Sequence, residues 1–128
     1  MSLKILIISA CSVLALNASN SVGSEASHFA GGAVMAGGIT AIVDNYYPEY
    51  KSDRAMLGFG ISSVAIIAEQ SVEYAINGNA RGQLLDAASH IAGSALGAFI
   101  TDEYILAPVV KDSAKDGTFV GLNVYHNF

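Results

Sequence analysis

Charged side chains are scarce in this chain. Lysine, arginine, aspartate and glutamate make up 13% of its 128 residues, against 52% apolar residues, whereas a soluble domain carries about 25% charged residues. The mean hydropathy is +0.46. There is too little polar material for a fully solvated surface, so part of the outer face is expected to meet lipid or another protein. Basic residues are rarer still. A net charge of −5 and the lack of any basic run argue against nucleic acid, whose phosphates need clustered Lys and Arg. Cysteine occurs once, at Cys11, which excludes an internal disulfide and any Cys-based zinc site. The length allows one domain and no second core.

The first 18 residues have the layout of an export signal: Lys4, an apolar run over 5–16, and small polar residues from Ala18 onward. Cleavage is expected after Ala18 or, by the small-residue rule, after Gly23. Ile8-Ser9-Ala10-Cys11 is similar to the lipobox of bacterial lipoproteins, which would make Cys11 a lipidation site. The simpler reading of Cys11 is an inert residue inside a signal. Retention as an anchor is a third option, although the run is shorter than the ~20 residues a spanning helix needs.

Residues 19–27 are small and polar and read as a linker. Three apolar helices follow, over 28–43, 54–76 and 84–106. Four glycines in the first would each cost about 0.8–1 kcal/mol against alanine in a soluble helix. They make sense where helices touch closely: Gly32, Ala36 and Thr40 form one ladder of small residues, and Ala33, Gly37 and Ala41 the next. Gly93 and Gly97 continue the same logic in the third helix. Pro48 lies in the first connection, where Ser52 or Asp53 can cap the second helix. Asn77-Gly78-Asn79 is a strong stop, and Pro108 is expected to close the third helix. Short connections make the helices antiparallel neighbours. Residues 117–128 change character. Val120, Leu122, Val124, His126 and Phe128 alternate with Gly121, Asn123, Tyr125 and Asn127, the period of a strand.

Up-down-up connectivity carries the main functional expectation. It brings His28, Glu69, Glu73, Asp86 and His90 to one end of the bundle. At about 1.5 Å per residue, His28, Glu73 and Asp86 lie within a turn of that end, and Glu69 and His90 about one turn deeper. Ionisable groups inside apolar helices point to function by default. The bland alternative is an acid–His pair that only locks helix register. Two carboxylate–imidazole pairs are also suited to general acid–base chemistry or to a divalent metal, an option left open but not favoured; no cofactor is implied. No Ser, Cys or Lys nucleophile is obvious, though Ser27, Ser71 and Ser89 lie near the cluster. Lys51, Arg54, Lys111 and Lys115 lie at the opposite end and Arg81 alone near the cluster, which by the positive-inside bias puts the acid–His cluster on the outer side.

The spacing Arg81…Asp86…His90…Gly93 resembles the closing pattern of the VanZ-like family. Residues 24–29, Ser-Glu-Ala-Ser-His-Phe, look like that family's opening segment, and Glu69-Gln70 sits where it has its mid-chain Glu. Ser52-Asp53-Arg54-Ala55 followed by Gly58 also resembles the YfiM-type predicted periplasmic lipoproteins. His90 stands where an Asn is usual, and no Lys accompanies Glu25. The resemblance covers roughly residues 24–100. It implies a small helical bundle in, or tethered to, the bacterial envelope, with His28, Glu69 and Asp86 as the functional set. The family's best-known trait, reduced susceptibility to a glycopeptide antibiotic, has no established chemistry to carry over.

The expected protein is thus all-α: a small antiparallel bundle of three long apolar helices with a short strand-like tail. Residues 1–23 would be a signal peptide or anchor with linker, 24–107 the bundle and 108–128 the tail. It would be exported, in the inner membrane or tethered in the periplasm, with the membrane and an envelope protein as partners. Whether it is an enzyme is left open. The rival expectation is a structural module that packs on a membrane or outer-membrane partner through its small-residue faces (Gly32, Gly37, Gly93 and Gly97) and its terminal strand.

Overall fold

The computed structural model describes residues 22–104, 106–113 and 117–124. Cys11 and the expected signal lie outside these residues. Three long helices dominate: α1 (Val22–Tyr46), α2 (Arg54–Asn77) and α3 (Ala80–Tyr104). The all-α bundle expected from the sequence is the fold observed. A 3-10 turn over Pro48–Asp53 joins α1 to α2. Neither Ser52 nor Asp53 caps α2 through its side chain.

The glycines explain how the bundle closes. Ser24, His28, Gly32, Ala36 and Thr40 are buried at every fourth position of α1, a spacing that places them on one helical row. The facing row of α3 is Asp86, His90, Ser94 and Ala98, flanked by Gly93 and Thr101. With such small side chains the backbones meet. A Cβ at Gly32 would strike the carbonyl of His90, one at Gly93 the carbonyl of Phe29, and one at Gly97 the carbonyl of Ala33. The α2 backbone approaches α1 in the same way at Gly58, against Thr40 and Ala36. This is close packing of the kind that small residues permit between apolar helices. Gly37 is buried against Thr101 and Gly97. The four glycines singled out as packing residues therefore serve contacts inside the chain.

At the joint between α2 and α3 the structure follows the stop signal. Gly78 has φ of 72° and donates its N–H to the carbonyl of Tyr74, and Asn79 has φ of 58°. The Asn79 side chain then accepts the N–H of Gly82 at 3.2 Å, opening α3. Two residues suffice to reverse the chain.

Three expectations need correction. The 19–27 linker is helical from Val22 onward, and its Ser24 is buried at the α1/α3 contact. Its small polar residues resemble a linker only until α3 supplies a partner for them. The third helix spans Ala80–Tyr104, so Pro108 does not end it. Pro108 instead lies within β1 (Leu106–Ser113), which pairs antiparallel with β2 (Gly117–Val124), from Leu106 opposite Val124 to Ser113 opposite Gly117. The tail is therefore a hairpin, of which the sequence announced only the second strand.

Candidate functional site

The polar residues of the α1 and α3 rows fall at the same end because the two helices run parallel. Ser24 and His28 from α1 meet Asp86 and His90 from α3. The Ser24 hydroxyl donates to Asp86 Oδ1 at 3.2 Å. His28 Nε2 lies 3.6 Å from Asp86 Oδ2, close enough for charge pairing when the imidazole is protonated but beyond hydrogen-bond reach. Among the described residues Nε2 is accordingly a buried nitrogen with no hydrogen-bond partner. The rings of His28 and His90 stand 6.4 Å apart and tilted. His28 and Asp86 are each 6% exposed and His90 8%.

One turn deeper His90, Ser62 and Ser94 are satisfied, although the Oγ of neighbouring Ser63 is buried without a hydrogen-bond partner among the described residues. His90 Nε2 lies 3.0 Å from Ser62 Oγ, and Ser62 Oγ lies 2.8 Å from Ser94 Oγ. Ser94 in turn donates to the carbonyl of His90 at 2.9 Å. Each hydroxyl has one proton to give, which fixes the direction of the chain. If Ser94 donates to the carbonyl, Ser62 donates to Ser94, and the Nε2–H tautomer of His90 donates to Ser62. That arrangement closes a loop through both helices with every proton used. The opposite direction leaves the His90 carbonyl bond unmade. Ser62 and Ser94 are wholly buried, so the Ser62–His90 contact is a register lock between α2 and α3 and not an exposed nucleophile and base.

The five expected site residues thus divide. His28, Asp86 and His90 come together. Glu69 is half-buried on α2; it lies within electrostatic range of His28 and of Glu73, but among the described residues it makes no direct bond to the cluster. Glu73 is not in the cluster. It is exposed and accepts a hydrogen bond from Asn77 at 2.6 Å. The reason is that residues 71–77, the last two turns of α2, are exposed throughout and run past the packed core. Gln70 takes the buried position instead, with its Oε1 unpartnered. Among the described residues no three His, Cys, Asp or Glu side chains converge as metal ligands would.

Sequence reasoning missed Ser24, Ser62, Ser94 and Gln70. It looked to Ser27, Ser71 and Ser89. Ser27 and Ser71 bond to carbonyls of their own helices, Gly23 and Ile67. The usable signal was the four-residue row, since Ser24 precedes His28 by four and Ser94 follows His90 by four.

A second polar group ties the opposite end. Arg54 reaches Asp102 through Nε at 2.5 Å and Asp44 through a terminal nitrogen at 2.5 Å, and also bonds the Asp102 carbonyl at 3.0 Å. Lys51 approaches Asp44 at 3.1 Å. One guanidinium thereby pins the ends of all three helices at a common level.

No protein-family model matches the chain, and neither does any curated protein or solved structure. The functional reading rests on the chain's own residues.

Proposed function

We propose that this chain is a VanZ-like integral protein of the bacterial envelope. Its His28–Asp86 pair forms a polar site sunk into the outer end of the helix bundle. The observation that carries the reading is the contrast between the two polar layers. His90, Ser62 and Ser94 form a closed hydrogen-bond loop, as buried polar groups in a purely structural layer do. The outer layer does not close among the described residues: His28 Nε2 is buried there without a hydrogen-bond partner, 3.6 Å from the Asp86 carboxylate. A carboxylate–imidazole pair left incomplete is a group that can take up and return a proton to a bound partner. Asp86 is held by Ser24, and Glu69 on α2 lies within electrostatic range of His28.

The membrane setting has its own support. Val22–Tyr46, Pro48–Asn77 and Ala80–Tyr104 are each long and apolar enough to cross a membrane. Large apolar side chains such as Val34, Met56, Val64, Ile67, Leu96 and Phe99 are exposed along all three. Lys51 and Arg54 at the far end favour that end as the cytoplasmic one, which turns His28 and Asp86 toward the periplasm. In the rival reading, a packing module for an envelope partner, the partner must use other surfaces, because the glycine faces are filled by the chain's own backbone.

The test is expression of the intact chain in a glycopeptide-susceptible bacterium. Lowered susceptibility is expected, with its loss in His28→Gln and Asp86→Asn at unchanged membrane abundance. An intact chain that leaves susceptibility unchanged contradicts the VanZ-like reading. Variants as active as the parent contradict the site.

A further inference from the structure

The tyrosines are not scattered. Tyr46, Tyr47, Tyr50 and Tyr104 are all exposed at the end where Arg54 joins Asp44 and Asp102. Tyr46 and Tyr104 each lie two residues beyond the aspartate of their own helix, and Tyr47 and Tyr50 lie in the connection to α2. The remaining described tyrosine, Tyr74, is exposed near the other end of α2. From Arg54 to Tyr74 is twenty residues, about 30 Å at 1.5 Å per residue. The hydrocarbon core of a bilayer is also about 30 Å thick.

What lies between the two levels supports the same boundary. The exposed large side chains there are Ile, Leu, Val, Met and Phe, with no tyrosine among the described residues. The ionisable groups about one turn or more inside the interval are His28, Glu69, Asp86 and His90, and each is buried or half-buried. Tyrosine favours the headgroup level, where its ring is in apolar surroundings and its hydroxyl is wet.

We propose that the Tyr46/Tyr47/Tyr50/Tyr104 ring and Tyr74 dock at the two headgroup layers of a bilayer, so that the His28–Asp86 pair lies just inside the Tyr74 boundary. The proposal rests on the membrane reading above and deepens it by fixing depth. His28 and Asp86 are each sixteen residues from the aspartate of their own helix at the Arg54 level, about 24 Å along the axis. That leaves them roughly one helical turn, about 6 Å, below the Tyr74 level. The closed His90–Ser62–Ser94 loop then lies nearer the bilayer centre, where unsatisfied polar groups cost most. The incomplete pair is buried at a depth within about one turn of the headgroup layer.

The chain contains no tryptophan, so a single introduced one is a unique reporter. Full-length Tyr50→Trp, Val64→Trp and Tyr74→Trp place it at one level, midway, and at the other level, all at exposed positions. Each is reconstituted in phosphatidylcholine–phosphatidylglycerol vesicles carrying lipids brominated near the ester or near the methyl end of the acyl chain. The Val64→Trp fluorescence is expected to be quenched more by the deep bromines. The order reverses for Tyr50→Trp and Tyr74→Trp. If Tyr74→Trp or Tyr50→Trp is quenched like Val64→Trp, the belts are misplaced and the proposal fails while the membrane reading stands. If Val64→Trp is quenched by neither lipid, the helices do not insert and both readings fail. Mutant chains that lose their helical circular dichroism also count against the proposal, because it places all three side chains on the outer surface.

Discussion

Ser62 and Ser71 are hydroxyls on the same helix with opposite consequences. Ser62 links α2 to one turn of α3 through His90 and Ser94, whereas Ser71 bonds only its own helix at the surface. Replacing Ser62 with alanine leaves His90 Nε2 and Ser94 short of a buried partner, which costs about 1–3 kcal/mol. Ser71→Ala stays within about 0.5 kcal/mol, as exposed substitutions do. Unfolding of the two variants in detergent, followed by circular dichroism, checks this contrast. The sequence made His28, Asp86 and His90 legible, because Asp86 and His90, four apart, share a helix face and up-down-up connectivity brings His28 to the same end. It could not separate Ser24 from Ser27 or Gln70 from Glu69. On a helix Glu69 and Gln70 point about 100° apart and Ser24 and Ser27 about 60° apart, and only the partner helix decides which direction is inward. Glu73 was misread for another reason: its burial depended on where α2 outruns the core.

The helices are held by backbone contact, so the element-scale predictions fall on glycine and on Arg54. Gly93→Leu and Gly97→Leu drive a side chain into the Phe29 and Ala33 carbonyls, and no folded α1/α3 pair is expected on size exclusion in detergent. Gly31, Gly38 and Gly60 have open space where a Cβ would go. Alanine there is expected to be neutral or to stabilise by up to about 1 kcal/mol each, the helix-propensity difference. Equal behaviour of the two glycine sets would contradict the packing. Arg54 is 11% exposed and Asp44 10%, so Arg54→Ala leaves a largely buried carboxylate with Lys51 alone as its partner. A loss of about 1–3 kcal/mol is expected, read as a lowered midpoint of thermal unfolding. The helix count and order were readable from apolar runs and the Asn77-Gly78-Asn79 stop. The first strand of the hairpin was not. Leu106–Ser113 contains Pro108, Lys111 and Asp112 and lacks a clean alternation, so its strand conformation comes from pairing with β2 and not from its own pattern.

At the scale of the molecule, three apolar helices enclose polar residues mainly toward one end. Low charge content implied an outer surface that avoids water, and the exposed Val, Ile, Leu, Met and Phe side chains are that surface. The vertical order, an Arg54 clamp, a tight glycine and alanine middle, a closed histidine–serine loop and an open His28–Asp86 pair, could not be seen until the helices were in register. The central claim is that His28 and Asp86 act as one site across the α1/α3 contact. A double-mutant cycle tests it most directly, with unfolding free energies measured in detergent for the parent, His28→Gln, Asp86→Asn and the double variant. A coupling of about 0.5–3 kcal/mol is expected, the range for residues in contact. Losses that add to within about 0.3–0.5 kcal/mol, as independent positions do, would contradict it.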